Sequence, residues 1–186
     1  FPNAKINLGL KVLRKRADGF HDIETIFYPI PLCDILEIVE NEINESSQTA
    51  FSTSTGLPIQ TITLKSGKKV SFMSSGLKIE GQLKDNLCIR AAQLYDKNFG
   101  IPYNILIHLH KIIPMGAGLG GGSSDAAFTL KVLNHLSGNK ATVNELMNLA
   151  GQLGSDCTFF ILNQPAFAEG KGEQLTPINI TISGYT

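Results

Sequence analysis

The sequence predicts a domain that mixes strands and helices, and three observations carry that reading. Residues 5–13 alternate apolar and polar side chains, and Ile105, Ile107 and Leu109 alternate with Leu106, His108 and His110, the period of half-buried strands. Three later stretches space their apolar residues three and four apart, as amphipathic helices do. Between a strand and a helix lies a cluster of five glycines within seven residues, Gly116 to Gly122. A chain of 186 residues suffices for one such domain with a substantial core, or a domain and part of another.

The first strand sets Ile6, Leu8, Leu10 and Val12 on one face and Lys5, Asn7, Gly9 and Lys11 on the other. Arg16-Ala17-Asp18-Gly19 reads as a turn, because Asp-Gly tolerates positive φ. Strand patterns resume at Ile23–Tyr28 and Asp34–Glu40. Residues 41–84 are a variable excursion, with short β-like runs at Ile59–Leu64 and Val70–Met73. Asp85 is the expected N-cap of a helix whose stripe is Leu87, Ala91, Leu94 and Tyr95, ending near Gly100. A strand with Ile105, Ile107 and Leu109 leads into the glycine cluster, and Ser123–Leu136 follows as a helix. Thr142 and Glu145 form a capping box, Leu146, Leu149, Ala150 and Leu153 are that helix's buried face, and Gly154 closes it. Cys157–Leu162 and Ala166–Glu169 read as short strands or tight turns at the edge of the core. The alternation of Ile178, Ile180 and Ile182 predicts a last strand, and with the non-methionine start it implies a natural chain that continues.

Composition excludes several classes. The formal net charge is zero and no long basic run occurs, which argues against a nucleic-acid partner. No apolar run approaches the roughly 20 residues that cross a bilayer, and no signal peptide is visible. Cys33, Cys88 and Cys157 are too few and too scattered for a disulfide framework or a zinc site, so reduced thiols in a cytoplasmic protein are expected. His108 and His110 lack a third ligand and read as packing residues.

The strongest chemical signal runs from Pro114 and Met115 through Gly116, Ala117, Gly118, Leu119, Gly120, Gly121 and Gly122 to Ser123 and Ser124. Glycines let backbone N–H groups converge without side chains in the way. The helix start beyond them adds unpaired donors and the positive end of its dipole, so the segment suits a phosphate. It matches neither the Walker A spacing nor the dinucleotide fingerprint.

This motif resembles the phosphate-binding loop of the GHMP kinases. Two further segments agree: Pro2-Asn3-Ala4-Lys5-Ile6-Asn7-Leu8 followed by Arg16–His21, and Leu153-Gly154-Ser155-Asp156 followed by Ala166–Glu173. The resemblance spans nearly the whole chain except residues 41–84. It implies an α+β fold, a mixed sheet backed by helices with a left-handed β-α-β crossover, of the kind also seen in ribosomal protein S5 domain 2. Residues 1–175 would be the ATP-binding N-terminal domain and 176–186 the start of a second.

The resemblance also implies a function: ATP-dependent phosphorylation of the 2-hydroxyl of a cytidine-diphosphate-linked methylerythritol, in the non-mevalonate route to isoprenoids. Asp156 would orient the acceptor hydroxyl and take its proton, and Lys5 would keep that carboxylate ionised and offset phosphoryl charge. Phe20 would stack on cytosine, His21 would hydrogen-bond its edge, and Asn7 would hold the substrate near the reacting hydroxyl. Asn86, Leu87 and Lys111 match positions that line the adenine pocket; each equally suits an ordinary helix-start or strand-end residue. Magnesium would arrive with ATP and touch Ser123 or Ser124, with no carboxylate ligand identifiable. Two departures stand out: Phe20 where relatives carry tyrosine, and Cys157-Thr158 where they carry valine-proline. The alternatives are another GHMP kinase, acting on mevalonate, homoserine or a sugar, and an inactive ATP-binding relative. A substrate without a cytidine would give Phe20 and His21 no base to read.

Overall fold

A computed structural model describes residues 1–41 and 56–182. Two four-stranded sheets frame the core. In the first, β1 (Asn3–Lys15) and β2 (His21–Cys33) form a long hairpin, and β7 (Ala166–Glu169) and β8 (Gln174–Pro177) extend it in the order β1-β2-β7-β8, all antiparallel. The second is mixed. It runs β3 (Ile35–Glu40), β6 (Ile105–Lys111), β5 (Lys69–Gly76), β4 (Gln60–Thr63), with β5 and β6 parallel. The chain between β5 and β6 carries helix α1 (Leu87–Phe99), so this pair is a β-α-β unit.

Three more helices follow: α2 (Gly121–Leu136), α3 (Val143–Leu153) and α4 (Cys157–Leu162). Ile105, Ile107 and Leu109 of β6 and Ile89, Ala92 and Tyr95 of α1 are buried with Leu130 and Leu133 of α2, and α3 and α4 close the same core. The capping box at Thr142 and Glu145 is formed as expected, with each partner bonding the other's backbone N–H.

Several local expectations are corrected. Asn86, not Asp85, caps α1: its side chain accepts from the N–H groups of Cys88 and Ile89, while Asp85 ends a preceding 3-10 turn at Leu83–Asp85. The α2 helix starts two residues earlier than its first serine, on Gly121. Cys157–Leu162 is a helix with Cys157, Thr158, Phe159, Phe160 and Ile161 all buried. Six consecutive, mostly apolar residues carry no period that separates strand from helix, and burial on every side decided it. The alternation at Ile178–Ile182 forms no strand; the edge strand is β8, just before it. The apolar face read along β1 fails beyond Gly9, where Leu10 and Val12 stand 57% and 56% exposed. The hairpin register slips there, Gly9 takes φ 74°, and its carbonyl accepts from the Thr25 hydroxyl, as at a β-bulge. The excursion expected over residues 41–84 lies partly outside the described residues. Within them it supplies β4 and β5 of the mixed sheet.

Candidate active site

The glycine cluster leaves β6 and climbs to the start of α2. Gly116, Gly118 and Gly120 all sit at φ between 71° and 74°, and Gly120 is the α2 N-cap. At Gly120 the reason is packing as well as φ: a Cβ there would lie 2.9 Å from the Phe160 ring and 3.3 Å from Cγ of Lys5. Pro114, Met115, Gly116, Ala117 and Gly118 are exposed, so the outer part of the loop is open to a ligand. Its inner part is fastened: the Lys5 N–H donates to the Leu119 carbonyl at 2.9 Å, tying the loop to β1.

That bond places Lys5 beside the loop. The Lys5 side chain is buried, its ammonium 3.3 Å from Asp156 Oδ2, 2.6 Å from Asn7 Oδ1 and 4.3 Å above the Phe27 ring. Phe27 packs edge-on against Phe159 at 5.3 Å, and Phe159 against Phe160 at 5.1 Å. The aromatic face of α4 thus props the lysine stem from below. Asp156 occupies the N-cap position of α4, yet its side chain caps nothing, and it remains partly exposed. Its carboxylate, paired with Lys5, stays partly open to solvent. Lys5, Asn7, Asp156 and the loop, scattered through the sequence, meet at one place.

Phe20 and His21 stand at the base of the Arg16–Gly19 turn, both exposed. Among the described residues no hydrogen bond or ion pair joins them to Lys5 or Asp156. The turn after β7 bridges the gap: the Gly170 carbonyl accepts from Ile23 N–H, Lys171 Nζ lies 5.1 Å from the Phe20 ring centroid, and a Cβ on Gly172 would lie 3.2 Å from Phe27 and 3.8 Å from Asp156 Oδ1. Arg14 and Arg16 both pair with Asp22 and hold its carboxyl below the usual carboxylate range.

Asn86, Leu87 and Lys111 do gather. With Ile79, Met115 and Gly122 they line a cleft of about 180 Å³ beneath the loop. Lys111, however, does not offer its ammonium to that cleft. The side chain is 2% exposed and its Nζ is bonded to Asp34 and, at 2.7 Å, to Asp125. Sequence reasoning missed both carboxylates. Asp125 stood in view just after Ser123-Ser124, but nothing in the sequence joined Asp34 to it. The Ser124 hydroxyl is buried without a partner among the described residues, and Ser123 is half-buried. Burial pushes the Cys157 thiol up to about 11, so its position beside Asp156 does not make it reactive. His108 and His110 share Ser75 on the mixed sheet, and no group of three or more metal-binding side chains occurs among the described residues. No helix there is long and apolar enough to cross a membrane.

Residues 86–171 match the family model of the GHMP kinases N terminal domain. Over those residues the chain is similar to a GHMP kinase N-terminal domain. The 4-diphosphocytidyl-2-C-methyl-D-erythritol kinase of Azobacteroides pseudotrichonymphae is 46% identical over 185 residues, covering all of this chain and 59% of that protein. The enzyme of the same name from Bacteroides thetaiotaomicron is also 46% identical over the same length. A crystal structure of 4-(cytidine 5'-diphospho)-2C-methyl-D-erythritol kinase superposes at TM-score 0.68 with 37% identity, over 97% of this chain and 55% of that one. A mevalonate kinase structure, 16% identical, shares the GHMP fold at TM-score 0.59. The chain spans just under three fifths of the curated relatives it matches, 59% in these cases. The matched GHMP segment holds the loop, α2 and Asp156, whereas Lys5, Asn7, Phe20 and His21 precede it.

Proposed function

We propose that the protein transfers the terminal phosphate of ATP to the 2-hydroxyl of 4-diphosphocytidyl-2-C-methyl-D-erythritol. The observation that carries this reading is the Lys5–Asp156 pair, set against the inner end of an open glycine loop. The triphosphate lies on the loop, where backbone N–H groups and the start of α2 favour negative charge. Asp156 orients the acceptor hydroxyl and receives its proton, and Lys5 offsets charge as the phosphoryl group moves. Asn7, bonded to Lys5, holds the acceptor end of the substrate. The half-exposed ring of Phe20 stacks on cytosine and His21 reads its edge. The cleft lined by Asn86, Leu87 and Met115 takes the adenine. Lys111 contributes its backbone and stem there, since its ammonium is occupied.

A magnesium ion fits this site only as one carried mainly by the phosphates, because the described residues offer no carboxylate cluster. Ser123, half-buried, or Ser124, whose hydroxyl has no partner among the described residues, would hold the ion, which would neutralise phosphate charge. Three free cysteines, two of them buried, support a place in the reducing cytoplasm.

The full-length protein, incubated with ATP and the cytidine-diphosphate-linked substrate, is expected to yield the 2-phosphate. Preferential phosphorylation of mevalonate or homoserine would transfer the site to another GHMP activity. Absence of turnover with all of these, while ATP binds, would favour an inactive nucleotide-binding relative.

A further inference from the structure

The charges beneath the glycine loop form a unit that the proposed chemistry does not use. Asp34, at the junction of β2 and β3, is fully buried, as nearly are Lys111 at the end of β6 and Asp125 in α2. One Asp34 oxygen accepts from the N–H groups of Ile112 and Ile113, at 2.5 and 2.8 Å, just where the chain turns into the loop. Its other oxygen pairs with Lys111. The same ammonium pairs with Asp125, one turn into the helix that receives the far end of the loop. The fit above it is close: a Cβ on Gly121 would lie 2.9 Å from Lys111 Nζ. Both ends of the loop are thereby joined through one buried cation.

Such a unit is a poor means of holding a fold together. Three charges withdrawn from water seldom repay their desolvation, and an apolar replacement is often as stable. Here the balance is also uneven, since two carboxylates face one ammonium and Asp125 Oδ1 has no partner among the described residues. What a cation between two anions does supply is a fixed distance and orientation, which apolar contacts define less sharply.

We propose that Asp34, Lys111 and Asp125 are positioning residues: a buried clamp that sets the separation of the two ends of the glycine loop and so its affinity for the phosphates of a nucleotide. The clamp rests on the reading of the loop as a nucleotide site. Its hold comes from the two ion pairs together: without the Asp125 carboxylate the ammonium is tied only to the Asp34 side, and the link to α2 is lost.

The test uses the full-length protein and two probes, ADP and CDP. Calorimetric affinities are measured for the wild type, Asp125→Asn and Asp34→Asn. In Asp125→Asn ADP is expected to bind about tenfold more weakly with CDP little changed, the scale of a small displacement of binding groups. Asp34→Asn loosens the other end of the loop and is expected to show the same split, and it decides the matter if Asp125→Asn prevents folding. Unchanged ADP affinity, or equal losses for both probes, would overturn the clamp while leaving the nucleotide site intact. A wild type that binds no ADP at all would overturn the nucleotide reading and the clamp with it.

Discussion

Asp156 is placed by packing, not by its neighbours in sequence. It stands at the N-cap of α4 without capping it, and Lys5 meets it from β1 at 3.3 Å. If its carboxylate takes the acceptor proton, Asp156→Asn in the full-length protein lowers turnover severely while ATP affinity stays near the wild-type value, since the loop is untouched. Turnover close to normal would remove Asp156 from the reaction. His21 is exposed at the base of the hairpin turn and supports no part of the core. His21→Ala is therefore expected to weaken the cytidine substrate by about 1–3 kcal/mol, the cost of leaving a base-edge partner unpaired. Equal weakening of ATP in the same titrations would assign His21 a structural role.

Among the elements, the loop and α2 act together with α4. Gly120 holds φ 71° and leaves no room for a methyl group between Phe160 and Lys5. Gly120→Ala imposes both backbone strain and a clash with a ring that is itself packed on Phe159. It should cost about 1–3 kcal/mol in urea unfolding and weaken nucleotide binding more than cytidine binding. An unchanged unfolding midpoint would show that the α4 aromatics yield without cost. Much of this level was legible beforehand. The glycine run, the capping box and the period of β6 all act within a few residues. The α4 helix was not, because a short apolar run fits strand and helix alike until its neighbours bury it.

At the scale of the whole molecule, the pH dependence of stability combines opposite signs. Asp22 is held below the ordinary carboxylate value by Arg14 and Arg16, so its contribution is present at neutral pH and lost on acidification. Asp125 runs the other way. Its folded-state value of about 7 lies above the ordinary 3.8, so the folded protein binds that proton more tightly. Its contribution is full below the ordinary value and is lost as pH rises through neutrality. For Lys111, burial pulls the ammonium down, but the two carboxylates together more than offset it and the net shift is upward. Asp125→Asn removes the excess negative charge. Relative to the wild type it is expected to gain about 1 kcal/mol of stability at mildly alkaline pH, and less at mildly acidic pH, by urea titration. A variant less stable at both pH values would mean that the Asp125 charge holds the fold. A gain in stability together with a loss of ADP affinity is the pairing that a positioning role requires.

By itself the sequence determined what short-range rules govern. It defined the strands that alternate, the glycine run after β6, the helix that begins there, and the capped helix before Gly154. Only the tertiary structure decided which charges meet. Lys5 and Asp156 come from opposite ends of the chain, and nothing in their spacing joins them until the β1–β2 hairpin meets α4 through the Phe27–Phe159 contact. Lys111, read locally, was a strand-end residue suited to an adenine pocket. The fold surrounds its ammonium with carboxylates from the β2–β3 junction and α2, and so withdraws that charge from the ligand. The end of the hairpin teaches the same lesson, since the alternation of Leu10 and Val12 promised burial that no neighbouring element supplies. Periodicity records what a residue can bury; which surface or charge arrives to meet it depends on contacts between segments far apart in sequence, whose energies exist only once the chain has closed on itself.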